Sequence, residues 1–310
     1  MLEIATTVRR WAAEGRRVAV ATLIGVDGSA PRAVGAALAV DDTGRVAGSI
    51  SGGCVESALV AECEEVLAGG PARRRRYGIG DWLEPGLMCG GTIEVLISDI
   101  GVLDEPAWHQ VERAAAGLDA TLSLDAEGRP CTVDPVVTLS VGRPRALVVV
   151  GAVEFGVALC ALAARAGFAV TVVDHRATFA TKERFPDATA VVVDRPGPWL
   201  AARGWTADDA VCVLGHDLAN DTPAILAALR GGAGYVGAMG SRATHERRVS
   251  ALTDLGATAD ELARLRSPIG LDLGGSTPEH TAVAILAEIL ATGHGATGLP
   301  LSRTSGPLHR

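Results

Sequence analysis

Arg145-Ala146-Leu147-Val148-Val149-Val150-Gly151-Ala152-Val153-Glu154-Phe155-Gly156 is the stretch on which the reading of the fold turns. Ala146 to Val150 is an unbroken apolar run, which suits a strand buried on both faces, as a central parallel strand is. Gly151 follows at once, and residues 156–166 carry a helical pattern, so the strand passes through a tight turn into a helix. The alternation repeats toward the C terminus. Strands are expected at Ala169 to Val173, Ala190 to Val193, Ala210 to Leu214 and Gly234 to Ala238, with a helix from Pro223 to Leu229 between the last two. Helices near 243–254 and 258–265 follow, and a last one runs from Pro278 to Leu290. Its start is marked by Thr277 as N-cap, Pro278 at the first helical position and Glu279 against the helix dipole. Strands alternating with helices predict a Rossmann-like, doubly wound parallel sheet over residues 145–294.

Toward the N terminus the pattern is different. Residues 3–14 have helical periodicity, and Val18 to Ile24 reads as a strand ending at the loop Gly28-Ser29-Ala30-Pro31-Arg32. Gly35 to Val40 and Arg45 to Ile50 form a hairpin through Asp42-Thr43-Gly44. Ser51-Gly52-Gly53-Cys54 then opens a helix from Val55 to Leu67, and Thr92 to Ile97 alternates like a strand. Residues 1–104 are expected as a smaller N-terminal α/β domain. Residues 105–144, with Pro106, Pro130, Pro135 and Pro144, are expected as a linker, and 295–310 as a flexible tail.

Composition narrows the class. A chain of 310 residues has room for two cores, and 48% hydrophobic with 21% charged residues is ordinary for a globular protein. The formal charge of −8, with pI near 5.4, argues against a nucleic-acid partner, which calls for a basic face. No run of about 18 apolar residues suggests a membrane span, and the charged start does not read as a secretion signal. Cysteines 54, 63, 89, 131, 160 and 212 form no CxxC pair, as expected for free thiols in a reducing, cytoplasmic setting. Cys160 and Cys212 read as small buried hydrophobes.

The polar motifs fall where an α/β sheet binds ligands, after the carboxyl ends of its strands. Gly151 and Gly156 are the outer glycines of a dinucleotide turn whose middle glycine is replaced by Val153, and Glu154 adds negative charge where a phosphate would sit. Asp174 lies at the spacing of a ribose-binding acid. Dinucleotide binding and a turn that only packs are both open on these residues. His216-Asp217 is either a catalytic or ligand pair or a turn with a helix cap at Asp217. In the first domain Cys54 sits where a helix begins, a position that favours a reactive or ligating thiolate; Cys89, before Gly90-Gly91, is balanced between function and packing. Arg32, in a rigid loop, is a candidate anion contact, whereas Arg73 to Arg76 reads as a solvated face. Arg242, with Ser241, could give a phosphate bidentate hydrogen bonds.

With these motifs in hand, the chain resembles the xanthine dehydrogenase accessory protein family of XdhC/CoxI type from about Val18 to Leu290. The motifs are Gly28-Ser29-Ala30-Pro31-Arg32, Gly48-Ser49-Ile50-Ser51-Gly52-Gly53-Cys54-Val55-Glu56, Cys89-Gly90-Gly91-Thr92-Ile93-Glu94-Val95, Tyr235-Val236-Gly237-Ala238-Met239-Gly240-Ser241-Arg242, and Pro268-Ile269-Gly270-Leu271-Asp272 with Thr277-Pro278-Glu279. The resemblance implies a maturation factor more than a stand-alone enzyme. Such a protein binds the molybdenum cofactor, as molybdopterin or its dinucleotide, protects it during sulfuration and delivers it to a xanthine dehydrogenase or aldehyde oxidase-type hydroxylase. A cysteine desulfurase would be the sulfur donor, and the protein would be a cytoplasmic homodimer. Cofactor contacts would come from Arg32, Gly52, Gly53, Cys54, Cys89, Gly90, Gly151, Gly156, Asp174, His216, Asp217, Ser241 and Arg242, with Cys54 toward the metal. Val153, Glu154 and Phe155 replace the family's usual Gly-His-Val within its Gly-Ala-Gly-His-Val-Gly turn. NAD(P)-dependent oxidoreduction is the competing class, disfavoured by that turn.

Overall fold

The computed structural model describes residues 1–78, 87 and 90–305. The chain divides into two units, Met1–Arg143 and Pro144–Thr304.

The second unit is built on β8 (Ala146–Val150), β9 (Ala169–Asp174), β10 (Ala190–Val193), β11 (Ala210–Val213), β12 (Tyr235–Ala238) and β13 (Leu265–Arg266). They form one parallel sheet in the order β10-β9-β8-β11-β12-β13. Chain order reverses between β8 and β11, which makes their carboxyl ends the topological switch point. The apolar run of β8 divides by the period of a strand. Leu147 and Val149 enter a core with α4 (Glu154–Arg165) and α9 (Pro278–Gly293), while Val148 and Val150 enter the opposite core with α5 (Pro196–Ala201), α6 (Leu218–Gly231) and α7 (Arg242–Asp254). Cys160 and Cys212 are buried in the first of these cores, as their settings predict, and burial pushes the Cys160 thiol up to about 11.

One boundary differs from expectation. The helix expected to start at Pro223 begins at Leu218, because Asp217 caps it by accepting the Ala219 N–H at 3.0 Å. Pro223 lies inside the helix, where it removes one donor. The short α8 (Ala259–Arg264) follows α7, and a 3-10 turn at Leu301–Arg303 lies in the segment expected as a tail.

The first unit is an antiparallel sheet in the order β3-β2-β1-β5-β4, from β1 (Val18–Asp27), β2 (Ala37–Asp41), β3 (Val46–Gly48), β4 (Arg73–Tyr77) and β5 (Thr92–Asp99). Both faces are covered. On one, Ala19, Ala21, Leu23, Leu38, Val40, Val95 and Ile97 pack on α2 (Glu56–Leu67). The other packs on α1 (Ala5–Ala13), α3 (Glu105–Ala115) and the hairpin of β6 (Ala120–Leu124) and β7 (Val137–Val141).

The last elements correct the expected linker at 105–144. Val111 of α3 and the alternating hairpin residues Leu122, Leu124, Val137 and Leu139 are all buried in the core, so the segment is part of the unit despite its prolines. Arg73 to Arg76 forms strand β4, in which Arg74 and Arg76 are exposed, as a solvated face implies, while Arg73 and Arg75 are half-buried. Arg73 and Arg75 both pair with Glu62 (2.8 and 2.6 Å), Arg74 with Glu94 and Arg76 with Asp27. Those acids lie elsewhere in the sequence, so the local pattern could not reveal them.

Candidate functional site

In the first unit the candidate site is the turn from β3 into α2. Gly52 and Gly53 take φ of +76° and +128°, where a side chain would be strained, and these angles turn the backbone N–H groups inward. What they meet is the chain's own Glu56. Its carboxylate accepts from the N–H of Ile50 (3.1 Å), Ser51 (2.8 Å), Gly52 (3.0 Å), Gly53 (2.7 Å) and Val55 (3.3 Å), and from the hydroxyls of Ser49 (2.8 Å) and Ser51 (2.5 Å). Consecutive N–H groups in a concave turn at a helix start make an anion nest, and here the anion is internal. Burial alone would raise the Glu56 pKa, but bonds from Ser51, Ser49 and Gly53 outweigh it and hold the carboxyl well below its usual range.

Cys54 rides on this turn. It is half-buried, a free thiol, and packs against the core under α2, as Ala58 and Val60 also do. The N–H groups expected to favour a thiolate are directed at Glu56. Cys63, one face further into the same core, is pushed up to about 12 by burial and is inert as a nucleophile.

The remaining first-unit candidates sit in neighbouring loops. Arg32 is engaged by Glu3 at 2.6 Å, and the other Glu3 oxygen accepts the Ala37 N–H, so the arginine anchors its loop. Gly90 (φ +78°) and Gly91 lie against Gly28-Ser29; a Cβ on Gly91 would fall 2.1 Å from the Ser29 carbonyl oxygen. Cys89 lies outside the described residues.

In the second unit a cleft of about 330 Å³ opens at the switch point, lined by Val150, Gly151, Val153, Asp174, His175, Arg176, Pro196, His216, Asp217, Asn220 and Asp221. It brings together Gly151, Asp174, His216 and Asp217 of the expected site residues. Gly156, Ser241 and Arg242 do not line it. Gly156 is needed for packing, since a Cβ there would lie 2.9 Å from the Gly151 carbonyl. Ser241 caps α7 by accepting the Thr244 N–H, and Arg242 is exposed in the first turn.

Asp174 does not wait for a ribose. Its Oδ2 accepts the Ala152 N–H (2.7 Å) and Arg176 Nη2 (2.7 Å), and its Oδ1 accepts the Arg176 N–H and Nε (both 2.9 Å). Burial opposes the charge, but Arg176 and the Ala152 N–H dominate and hold the carboxyl at about 2. Glu154, expected to repel phosphate, faces Arg184 at 3.5 Å, and Arg184 also donates to the Ala152 carbonyl. Asp217 is the helix cap of the blander reading, bound to Ala219 N–H and Asn220 Nδ2 (2.7 Å).

Sequence reasoning missed two carboxylates. Glu56 was visible within the motif but not as the nest's occupant. Asp221, only 3% exposed, follows the cap by one turn and carries no motif. Among the described residues, no cluster of three or more His, Cys, Asp or Glu could hold a metal ion.

The sheet order and the switch-point cleft define a Rossmann-type domain following an antiparallel α/β unit. Residues 147–289 match the XdhC Rossmann domain, and residues 11–78 match the XdhC and CoxI family. The chain belongs to that family. It is 29% identical over 298 residues to the molybdenum cofactor insertion chaperone PaoD of Escherichia coli K12, covering 91% of this chain and 87% of that one. It is 27% identical over 312 residues to a probable xanthine dehydrogenase subunit of Bacillus subtilis 168, covering 88% and 92%. A crystal structure described as a xanthine dehydrogenase from Bacillus halodurans shares the fold, with a TM-score of 0.77 at 23% identity over 99% of this chain and 98% of that one.

Proposed function

We propose that this chain is a molybdenum cofactor insertion chaperone, which holds the cofactor and delivers it to a hydroxylase of the xanthine dehydrogenase or aldehyde oxidase type. The observation that carries the reading is the likeness to PaoD over nine-tenths of the chain. The site chemistry agrees with it. A single soft thiol sulfur on a fixed loop would suit the metal end of such a cofactor. Cys54 is that thiol, and Glu56 fixes the loop. The cofactor-binding set of the first unit is Gly52, Gly53 and Cys54, with Arg32 and Gly90 in supporting loops.

The finer steps belong to the same proposal. The chaperone would shield the cofactor while a cysteine desulfurase supplies its terminal sulfur, work in the cytoplasm as a homodimer, and take the mononucleotide or dinucleotide form. No helix among the described residues is long and apolar enough to cross a membrane. NAD(P) chemistry is disfavoured by the occupied Ala152 N–H and by Asp174, whose two oxygens already take four bonds.

The test is purification from cells making the cofactor, followed by molybdenum and pterin analysis. Near-equimolar metal and pterin are expected. Protein that stays empty under those conditions while binding NAD or NADP at micromolar concentration would replace this reading with the oxidoreductase one.

A further inference from the structure

The switch-point cleft has an unusual balance of donors and acceptors. Three carboxylates line it, Asp174, Asp217 and Asp221, with the guanidinium of Arg176 and the imidazoles of His175 and His216. Asp174 is saturated by Arg176 and the Ala152 N–H, and Asp217 by Ala219 and Asn220. Asp221 is different. It is only 3% exposed, it lines the cleft, and its Oδ2 has no hydrogen-bond partner among the described residues.

The opposite charge that acts on it most strongly, Arg248, does not complete it. Arg248, 1% exposed, donates Nη2 to the Met239 carbonyl (2.8 Å) and Nη1 to Ser267 Oγ (3.2 Å), while its Nε is also without a partner. The two groups attract through space without a bond between them. The backbone leaves room for this carboxylate: a Cβ on Gly215 would lie 2.4 Å from Asp221 Oδ1. A buried, unbonded acceptor is costly unless a donor arrives.

These features select a ligand class. A phosphate finds the turn's Ala152 N–H occupied and three carboxylates around it. A group that brings its own N–H donors finds an acceptor, in a space large enough for a bicyclic ring.

We propose that this cleft binds the donor edge of a 2-amino-4-oxopyrimidine ring, the chemistry shared by a pterin and a guanine, with the Asp221 carboxylate accepting its N–H groups. Its physiological ligand rests on the chaperone reading, because the cofactor is a pterin and in one form carries a nucleotide. A carboxylate that reads two N–H groups discriminates sharply, since an analogue missing one leaves the buried acceptor unmet.

The test is calorimetric titration of the full chain with 2-amino-4-oxopteridine, guanosine, inosine and adenosine. Wild type should bind the pteridine or guanosine, and inosine, which lacks the 2-amino group, should bind at least about tenfold more weakly. Stronger binding of the pteridine points to the pterin end, and of guanosine to a nucleotide end. Asp221→Asn should lose at least about tenfold for the preferred probe while its thermal midpoint shows it folded. Inosine binding as well as guanosine, or saturation of neither probe, overturns the proposal on wild-type protein alone, so a poorly folding variant does not shield it. Equal probe binding by a folded Asp221→Asn overturns it too. Cofactor retained in cells with no probe binding defeats only this inference; probe binding without cofactor retention defeats only the chaperone reading.

Discussion

Two glycine-rich turns in this molecule carry a strand into a helix, and both hold a carboxylate of the chain itself. In the first unit Glu56 fills the nest between β3 and α2, receiving neutral N–H and hydroxyl donors with no cation among the described residues. In the second unit Asp174 reaches back to the turn after β8, but shares its charge with Arg176. The difference teaches what each turn can do. Glu56 is part of the loop's own construction, so removing it should undo the presentation of Cys54. Asp174 with Arg176 closes a dinucleotide turn from outside, so its loss should be felt less in stability and more in what the turn can bind. A glycine pattern reports a concave backbone; it does not report a vacancy.

The largest expected effect is on Glu56. Replacing it by Ala leaves several inward N–H groups without an acceptor and should cost roughly 3–4 kcal/mol in denaturant unfolding. Glu56→Gln should cost less, since its single amide oxygen still accepts. Because the native carboxyl is held below its usual value of 4.5, its stabilisation is present above that pH and lost as pH falls through the native value. The advantage of wild type over Glu56→Gln should therefore shrink in acid. An unchanged gap would break the comparison at its stronger side.

Asp221 gives the opposite sign. Burial, partly offset by Arg248, lifts its pKa from 3.8 to about 6, so its favourable neutral form is lost as pH rises through that window. The stability of Asp221→Asn relative to wild type should improve by about 2–3 kcal/mol between pH 4 and 7, read from paired denaturation curves. A flat difference would mean that this carboxyl is not buried as described.

For the second turn, Asp174→Asn should cost about 1–2 kcal/mol, because its Arg176 partner is partly exposed and the amide keeps one acceptor. Wild type should bind NAD and NADP no more tightly than about millimolar. Micromolar binding would show the turn open despite Asp174.

How far these features could be read in advance depends on how local they are. The alternating strands and helices of the second unit were legible because each buried strand is a run of its own, as in Ala146 to Val150. The helix at Leu218 was misplaced because Pro223 reads as a helix start, while the determining cap, Asp217, also fits a site pair. The hairpin of β6 and β7 was hidden by its prolines and outward polar residues, although Leu122, Leu124, Val137 and Leu139 alternate. At the site, residue types were visible but their partners were not. Asp174 and the turn it closes are 22 residues apart, and Arg74 and Glu94 are 20 apart, distances that a local pattern does not span. Glu56 was adjacent and still missed, because only the fold shows the N–H groups converging.

The smallest stability effect and the most direct test fall on one residue. Cys54→Ser should change unfolding free energy by less than about 0.5 kcal/mol, since the thiol is half-buried and its loop is held by Glu56. The measurement is molybdenum per chain in wild type and Cys54→Ser, each purified from cofactor-producing cells with the thermal midpoint recorded beside it. The account predicts that the variant keeps its midpoint and loses most of its molybdenum. Equal molybdenum in both proteins would contradict it and leave Cys54 a packing residue of the core beneath α2.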